Sequence, residues 1–204
     1  MFYDEGYSKI KNFWGCNPGS LVTSSIKYFS DLSSLKSLDA GCGTGKNAYF
    51  LALHNIDVLA IDISEIAIKN AKELWTPFPN LRFESQDVRK LKLDSELFDI
   101  VISTGMVHCL YDQTEITLVL EKLFNSLKSN GIFAFSTFNN DRMNNFNGHD
   151  RDFMPCLLPH KFYIEFFLNT KSEILFETNT FQPDIHPHNL IEHYHSITRI
   201  LIRK

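Results

Sequence analysis

Leu38-Asp39-Ala40-Gly41-Cys42-Gly43-Thr44-Gly45 closes an apolar run that begins at Leu35 and leads straight into the helical stretch Lys46–His54. An apolar run, a glycine cluster and then a helix form the strand–turn–helix unit of an open α/β sheet. Glycines there let the backbone turn tightly and approach a ligand at the strand's carboxyl end. The spacing is G-x-G-x-G, not the G-x-G-x-x-G of dinucleotide sites, and a carboxylate, Asp39, precedes it. A pyrophosphate would be repelled at that place, whereas a cationic, phosphate-free ligand would be attracted.

Outward from the loop, Asp57–Ile61, Leu81–Ser85, Phe98–Ser103 and Gly131–Phe135 join Leu35–Ala40 as strand candidates, the last introduced by the turn Ser129-Asn130-Gly131. Helices are expected at Lys46–His54, at Ser64–Trp75 with Ser64 as N-cap and Pro77 and Pro79 beyond its end, and at Asp112–Lys128. In the last of these Ile116, Leu120, Leu123 and Leu127 share a face. Strands alternating with helices predict an α/β fold, a doubly wound Rossmann-like sheet. Glu173–Thr180 and Ser196–Arg203 are strand-like with no helix between them, which suits an antiparallel pair at a sheet edge.

Two segments stand outside the alternation: residues 1–30, aromatic and containing Phe13-Trp14-Gly15, and residues 138–160, rich in Asn and Asp. Segments beyond the strand ends commonly form lids and pocket walls. The expectation is one domain over 1–204, with 1–30 as a lid or cap and 138–170 as an acceptor-side insertion.

Composition narrows the class of function. At 204 residues, 44% hydrophobic and 22% charged, the chain can bury a core without metal or disulfide staples. A net charge of −4 leaves no surplus of cations for a polyanion, so nucleic acid is not an expected partner. No apolar run approaches the ~20 residues that span a bilayer. Met1–Gly15 carries Asp4, Glu5, Lys9 and Lys11 where a signal peptide needs an apolar stretch, so a cytoplasmic protein without membrane attachment is expected. Cys16, Cys42, Cys109 and Cys156 never form C-x-x-C and fit reduced thiols better than zinc or disulfides.

Asp62 ends the second strand twenty-one residues after Gly41, where an acidic side chain accepts hydrogen bonds from ribose hydroxyls. Asp87, in Gln86-Asp87-Val88, follows the third strand and suits an adenine amino group, with Ile63 and Val88 as apolar faces for the ring. A nucleoside carrying a cationic remainder is the ligand these groups would hold.

With Phe98–Leu110 and Leu127-Lys128-Ser129-Asn130-Gly131 added, five motifs run in order through Leu38–Thr137, and the chain resembles the class I S-adenosylmethionine-dependent methyltransferases. The resemblance implies a seven-stranded sheet of order 3-2-1-4-5-7-6 with strand 7 antiparallel, and S-adenosylmethionine as cofactor. It further implies that Asp39, Gly41, Cys42, Gly43 and Gly45 cradle the methionine part and that Asp62 holds the ribose. Ile63, Asp87 and Val88 would take the adenine; Thr104 and Gly105 would face the methionyl portion, with Met106 close by. The family's usual Pro-Gly-Gly before strand five is Ser129-Asn130-Gly131 here.

Phe13-Trp14-Gly15-Cys16-Asn17-Pro18, Gly43-Thr44-Gly45-Lys46-Asn47, and His193-Tyr194-His195-Ser196-Ile197-Thr198-Arg199 ahead of Arg203-Lys204 resemble the tellurite-resistance methyltransferases and their small-molecule relatives. That likeness implies a small-molecule methyl acceptor: a thiol, a chalcogen oxyanion or a hydroxyl. Ser103-Thr104-Gly105-Met106 stands where amino methylases carry Asn/Asp-Pro-Pro-Tyr, which disfavours that class. Pro155-Cys156 lies beyond strand five and Cys109 lacks a preceding proline, so neither suits a covalent cytosine-methylase mechanism.

The candidate catalytic residues are His108, His193 and His195, as proton acceptors or orienting groups, and Lys46, as a cation for an anionic acceptor. Tyr7, Trp14 and Met106 are expected to wall the acceptor pocket. His186-x-His188 and His193-x-His195 each place two imidazoles on one face of an extended chain, a spacing that suits a metal. With no carboxylate or Cys at ligand spacing, no metal is expected. Two rival readings share the fold: an NAD-dependent oxidoreductase and a non-catalytic S-adenosylmethionine-binding protein. Monomer and homodimer are both compatible with the composition.

Overall fold

A computed structural model describes residues 3–143, 155–185 and 190–204. Among the described residues seven strands form one sheet: β1 (Lys36–Ala40), β2 (Asp57–Asp62), β3 (Leu81–Ser85), β4 (Phe98–Thr104), β5 (Leu127–Phe138), β6 (Glu173–Ile185) and β7 (Glu192–Arg203). Their order is β3-β2-β1-β4-β5-β7-β6, with β7 antiparallel to both neighbours. The helices are α1 (Asp4–Lys9), α2 (Ser20–Ser25), α3 (Lys46–Leu53), α4 (Glu65–Leu74), α5 (Gln113–Ser126) and α6 (His160–Asn169). None is long and apolar enough to cross a membrane.

Each strand's side-chain alternation feeds two cores. On one face Leu38, Val101, Phe133 and Phe135 pack with Ile116 and Leu120 of α5 and with Tyr163 and Phe167 of α6. On the other, Val58, Ile100, Ile132 and Ala134 pack with Val22 of α2, Leu51 of α3 and Ile68 of α4. Helices cover both faces, so β1 is buried from Ser37 to Ala40 and β4 from Ile100 to Ser103, polar side chains included.

Local chemistry sets the helix starts. Ser64 accepts a hydrogen bond from the Ala67 amide at 3.1 Å and opens α4 as the sequence predicts. Asp112 accepts from the Glu115 amide at 2.8 Å, and Glu115 reaches back to the Tyr111 amide at 2.7 Å, so α5 starts on a reciprocal cap. It stops at Ser126, because Leu127 already belongs to β5 and pairs with Phe98.

Three helices differ from the sequence expectation. α1 and α2, of six residues each, occupy the segment read only as a lid. α6 lies within the segment expected as an acceptor-side insertion, yet Tyr163 and Phe167 are fully buried against the sheet. Its rear half is therefore core. The run Phe162-Tyr163-Ile164-Glu165-Phe166-Phe167 is apolar nearly all round, which hides the helical period.

The β6–β7 ribbon is also longer than expected. β5 pairs with β7 only from Ile197 to Arg203, while β6 continues alongside β7 as far as Glu192. That overhang projects past the carboxyl ends of the parallel strands. His186 and His188 lie outside the described residues, as do residues 144–154 of the expected insertion.

Phe167 packs edge-on against Phe133 at 5.5 Å and Phe135 at 5.6 Å. Phe167→Ala should lower the unfolding free energy by about 3–5 kcal/mol, read by urea denaturation, as buried aromatic truncations do.

Candidate active site

The carboxyl ends of β1, β2, β3 and β4 open onto one cavity of about 1030 Å³. Of the residues expected to hold a cofactor, Gly41, Cys42, Gly43, Asp62, Ile63, Asp87, Val88, Thr104 and Gly105 all line it. So do Tyr7, Trp14 and Met106, expected in the acceptor pocket, and Lys46 and His108.

Gly41 has φ +76°, and a Cβ there would come within 2.5 Å of the Met106 side chain. Both the turn and the close approach require glycine. Gly45 has a different role from the expected cradle. It caps α3 at φ +83°, does not line the cavity, and leaves room for Phe83, whose Cε1 would lie 2.5 Å from an added Cβ. The loop is also tied from β3's side of the sheet, since the Trp75 indole donates to the Thr44 carbonyl at 2.6 Å.

Asp39 is not where the sequence reading puts it. Ser37 and Asp39 alternate with Leu38 and Ala40, so its side chain points to the α3 face and is fully buried beneath the loop. Among the described residues neither carboxylate oxygen has a hydrogen-bond partner at normal geometry; the Ala48 amide and the Lys46 charge are the favourable influences on it. Burial, and then the nearby Asp62, raise its pKa to about 7. Any influence on a cationic ligand is therefore through the loop, by field rather than contact.

Asp62 accepts from the Gly43 amide at 2.8 Å and from the Ser64 amide at 2.9 Å. Burial raises its pKa, and those amides oppose the rise. The Ile63 amide also acts on this carboxylate, which lines the cavity. Asp87 is held differently: the Arg89 guanidinium grips both its oxygens at 2.8 Å and keeps its pKa low. Arg89, which also lines the cavity, was not legible as a site residue; the Asp-x-Arg spacing is the signal that could have found it.

Beside the glycine loop, the Lys46 ammonium donates to the Trp14 carbonyl at 2.7 Å, and burial lowers its pKa. The Trp14 indole donates to Tyr7 Oη at 3.0 Å. Asn47 accepts from the Gly19 amide at 2.9 Å and donates to Thr104 at 3.2 Å, joining α2, α3 and the end of β4. His108 lies within 3.2 Å of Thr137 Oγ1 and 3.4 Å of Tyr3 Oη. Burial first, then His195, lower its pKa to about 3, so it is neutral at working pH. Burial pushes the Cys109 thiol up to about 12, which leaves it un-ionised.

His193 and His195 do not line the cavity; both are fully buried in the ribbon overhang. Phe138 connects them to it, stacking on His108 at 4.3 Å and on His195 at 4.0 Å. Asp184, which the sequence reading missed, is on the cavity wall.

The fit to an S-adenosylmethionine-type ligand rests on these observations. Gly41, Gly43, Asp62, Ile63 and Val88 face one cavity, the set of groups that a nucleoside ligand of this kind would need. Comparisons with known proteins agree with that fit. Residues 31–177 match the methyltransferase domain family. An uncharacterized methyltransferase of Schizosaccharomyces pombe is 35% identical over 117 residues, covering 56% of this chain and 81% of the yeast protein. Among solved structures, TehB from Haemophilus influenzae superposes with a TM-score of 0.69 at 19% identity, covering 90% of this chain and 61% of that one. The Burkholderia thailandensis 1,6-didemethyltoxoflavin-N1-methyltransferase, solved with 1,6-didemethyltoxoflavin and S-adenosylhomocysteine, superposes at 0.66 with 16% identity, covering 97% and 85%. At such identities the structural likeness is one of fold.

The Asp39 shift makes stability depend on pH with a definite sign. A folded-state pKa of about 7 against an ordinary value of 3.8 means the folded chain holds the extra proton. The resulting stabilisation is complete below pH 4 and is lost as pH rises through 7. At about 1.4 kcal/mol per unit, wild type should lose up to ~4 kcal/mol over this window relative to Asp39→Asn. Urea denaturation from pH 5 to 8 should show about 3 kcal/mol of that loss, the part between pH 5 and 7; a constant gap would contradict the shift.

Proposed function

We propose that this chain, which belongs to the class I S-adenosylmethionine-dependent methyltransferases, methylates a small molecule that reaches the site already ionised, a thiolate or a chalcogen oxyanion in preference to a hydroxyl. The observation that carries this is one cavity lined by both sets of residues that the reaction needs. We read Gly41, Asp62 and Val88 as its nucleoside wall, and Trp14, Lys46, Met106 and His108 as its acceptor wall. Small-ligand sites span about 300–1,000 Å³. At about 1030 Å³ the cavity suits a cofactor and a small second molecule.

When bound, S-adenosylmethionine supplies a methyl group on an electrophilic sulfonium. The chain's own task is then to align, desolvate and charge-match the acceptor. Met106, seated on Gly41, marks where the two walls meet. Lys46 offers a cation to an anionic acceptor, although a lysine lacks the bidentate fork of an arginine. Tyr3, Tyr7 and Trp14 form an aromatic cover, and we read the N-terminal segment as a lid that excludes water.

His108 and Cys109, both on the cavity wall, support an acceptor that arrives ionised. His108 is too weakly basic at a pKa of about 3 to take a hydroxyl proton efficiently, and Cys109 holds its own. As a neutral imidazole, His108 can orient an acceptor by hydrogen bonding. His193 and His195, placed off the cavity, do not serve as a direct base in this reading.

The test is release of S-adenosylhomocysteine from purified protein offered thiols, selenium and tellurium oxyanions, and phenols. Turnover is expected with a thiol or an oxyanion, with kcat/KM rising as the acceptor ionises. His108→Asn should lower kcat/KM about tenfold, the worth of one charge-assisted hydrogen bond. Turnover of phenols alone would contradict the ionised-acceptor reading. Cofactor binding with no turnover of any acceptor would favour a non-catalytic binding protein.

A further inference from the structure

Asp184, His193 and His195 meet only through strand pairing. In the β6–β7 ladder Asp184 stands opposite His193, and Gln182 opposite His195. Residues two apart on a strand share a face, and so do directly opposed residues of an antiparallel pair. A carboxylate and two imidazoles thus converge in the overhang, and one ligand atom from each lies within 4.8 Å of the others. The carboxylate that a reading of the tail histidines lacks is supplied from across the ladder.

We propose that Asp184, His193 and His195 bind a divalent first-row transition ion at the edge of the acceptor end of the cavity. Two imidazoles and one carboxylate are the donor set of open zinc and iron(II) sites, with bonds of about 2.0–2.2 Å. Small side-chain rotations close the remaining distance. Three protein donors leave at least one coordination position for another molecule.

Two further features suit metal ligation. His193 Nδ1 lies 2.8 Å from the Ile191 carbonyl, so that nitrogen carries the proton and Nε2 the lone pair. A second-shell carbonyl of this kind commonly orients metal-bound histidines. His195 is held in plane by stacking on Phe138 at 4.0 Å and 20°. Through Phe138 and the cavity-lining Asp184, the ion would adjoin the space assigned to the acceptor, where a thiolate or oxyanion could complete its coordination. That last role rests on the methyl-transfer reading; binding of the ion does not.

The experiment uses the full chain, stripped with a chelator and titrated with Zn²⁺ by calorimetry. Co²⁺ provides a second probe through its visible d–d bands. The expected result is one Zn²⁺ per chain at micromolar Kd or tighter, with Co²⁺ bands that Zn²⁺ displaces. Asp184→Asn should weaken binding at least about tenfold, with an unchanged far-UV circular dichroism spectrum and urea midpoint as evidence of an intact fold. Cys16→Ser controls for the exposed thiol and should leave metal binding unchanged. No stoichiometric Zn²⁺ binding, binding unaffected by Asp184→Asn, or binding lost with Cys16→Ser would each overturn the site. None of these outcomes depends on whether methyl transfer occurs.

Discussion

A carboxylate removed from water must be paired, hydrogen-bonded or protonated, because isolated burial of the charge costs several kcal/mol. Two acids at neighbouring strand ends face this constraint and meet it differently. Asp62 accepts from the Gly43 and Ser64 amides. Asp39, one layer below, has the weaker help of the Ala48 amide and the Lys46 charge, so it keeps its proton to about pH 7. A cation in the cavity above would favour its ionisation. The glycine loop between these acids is thus the floor of a site predisposed to positive charge, which matches the ammonium and sulfonium of S-adenosylmethionine and not the pyrophosphate of a dinucleotide.

The same groups couple the nucleoside wall to the N-terminal cover. Ser64 donates its amide to Asp62 and its hydroxyl to Asp4, while Asn70 of α4 donates to the Tyr7 carbonyl at 2.7 Å. Tyr7 in turn accepts from Trp14, whose carbonyl receives Lys46. Displacing α1 would therefore disturb Asp62 and Lys46 together. On the opposite side Phe138 performs the corresponding task, stacking on His108 and on His195.

The five parallel strands and the cap at Ser64 were legible because they are local: an apolar run bounded by turn residues needs no partner to be recognised. Asp62, Asp87 and the loop followed from strand ends for the same reason. Asp39 was misplaced by one layer, although the alternation of Leu38, Asp39 and Ala40 carried the signal. Gly45 looked like ligand contact because its true partner, Phe83, lies on β3, out of reach of any local pattern. α6 was hidden by apolar residues on nearly every side. Asp184 could not be joined to His193 without the register of an antiparallel ladder, which spacing alone leaves undetermined.

If the cavity binds a phosphate-free adenosyl ligand through Asp62, calorimetric titration with S-adenosylhomocysteine and, in parallel, NAD will separate it from a dinucleotide site. One S-adenosylhomocysteine per chain is expected at about micromolar Kd, near −8 kcal/mol, with no NAD binding and loss of affinity in Asp62→Ala. Binding of NAD in place of S-adenosylhomocysteine, or S-adenosylhomocysteine binding indifferent to Asp62→Ala, would contradict it.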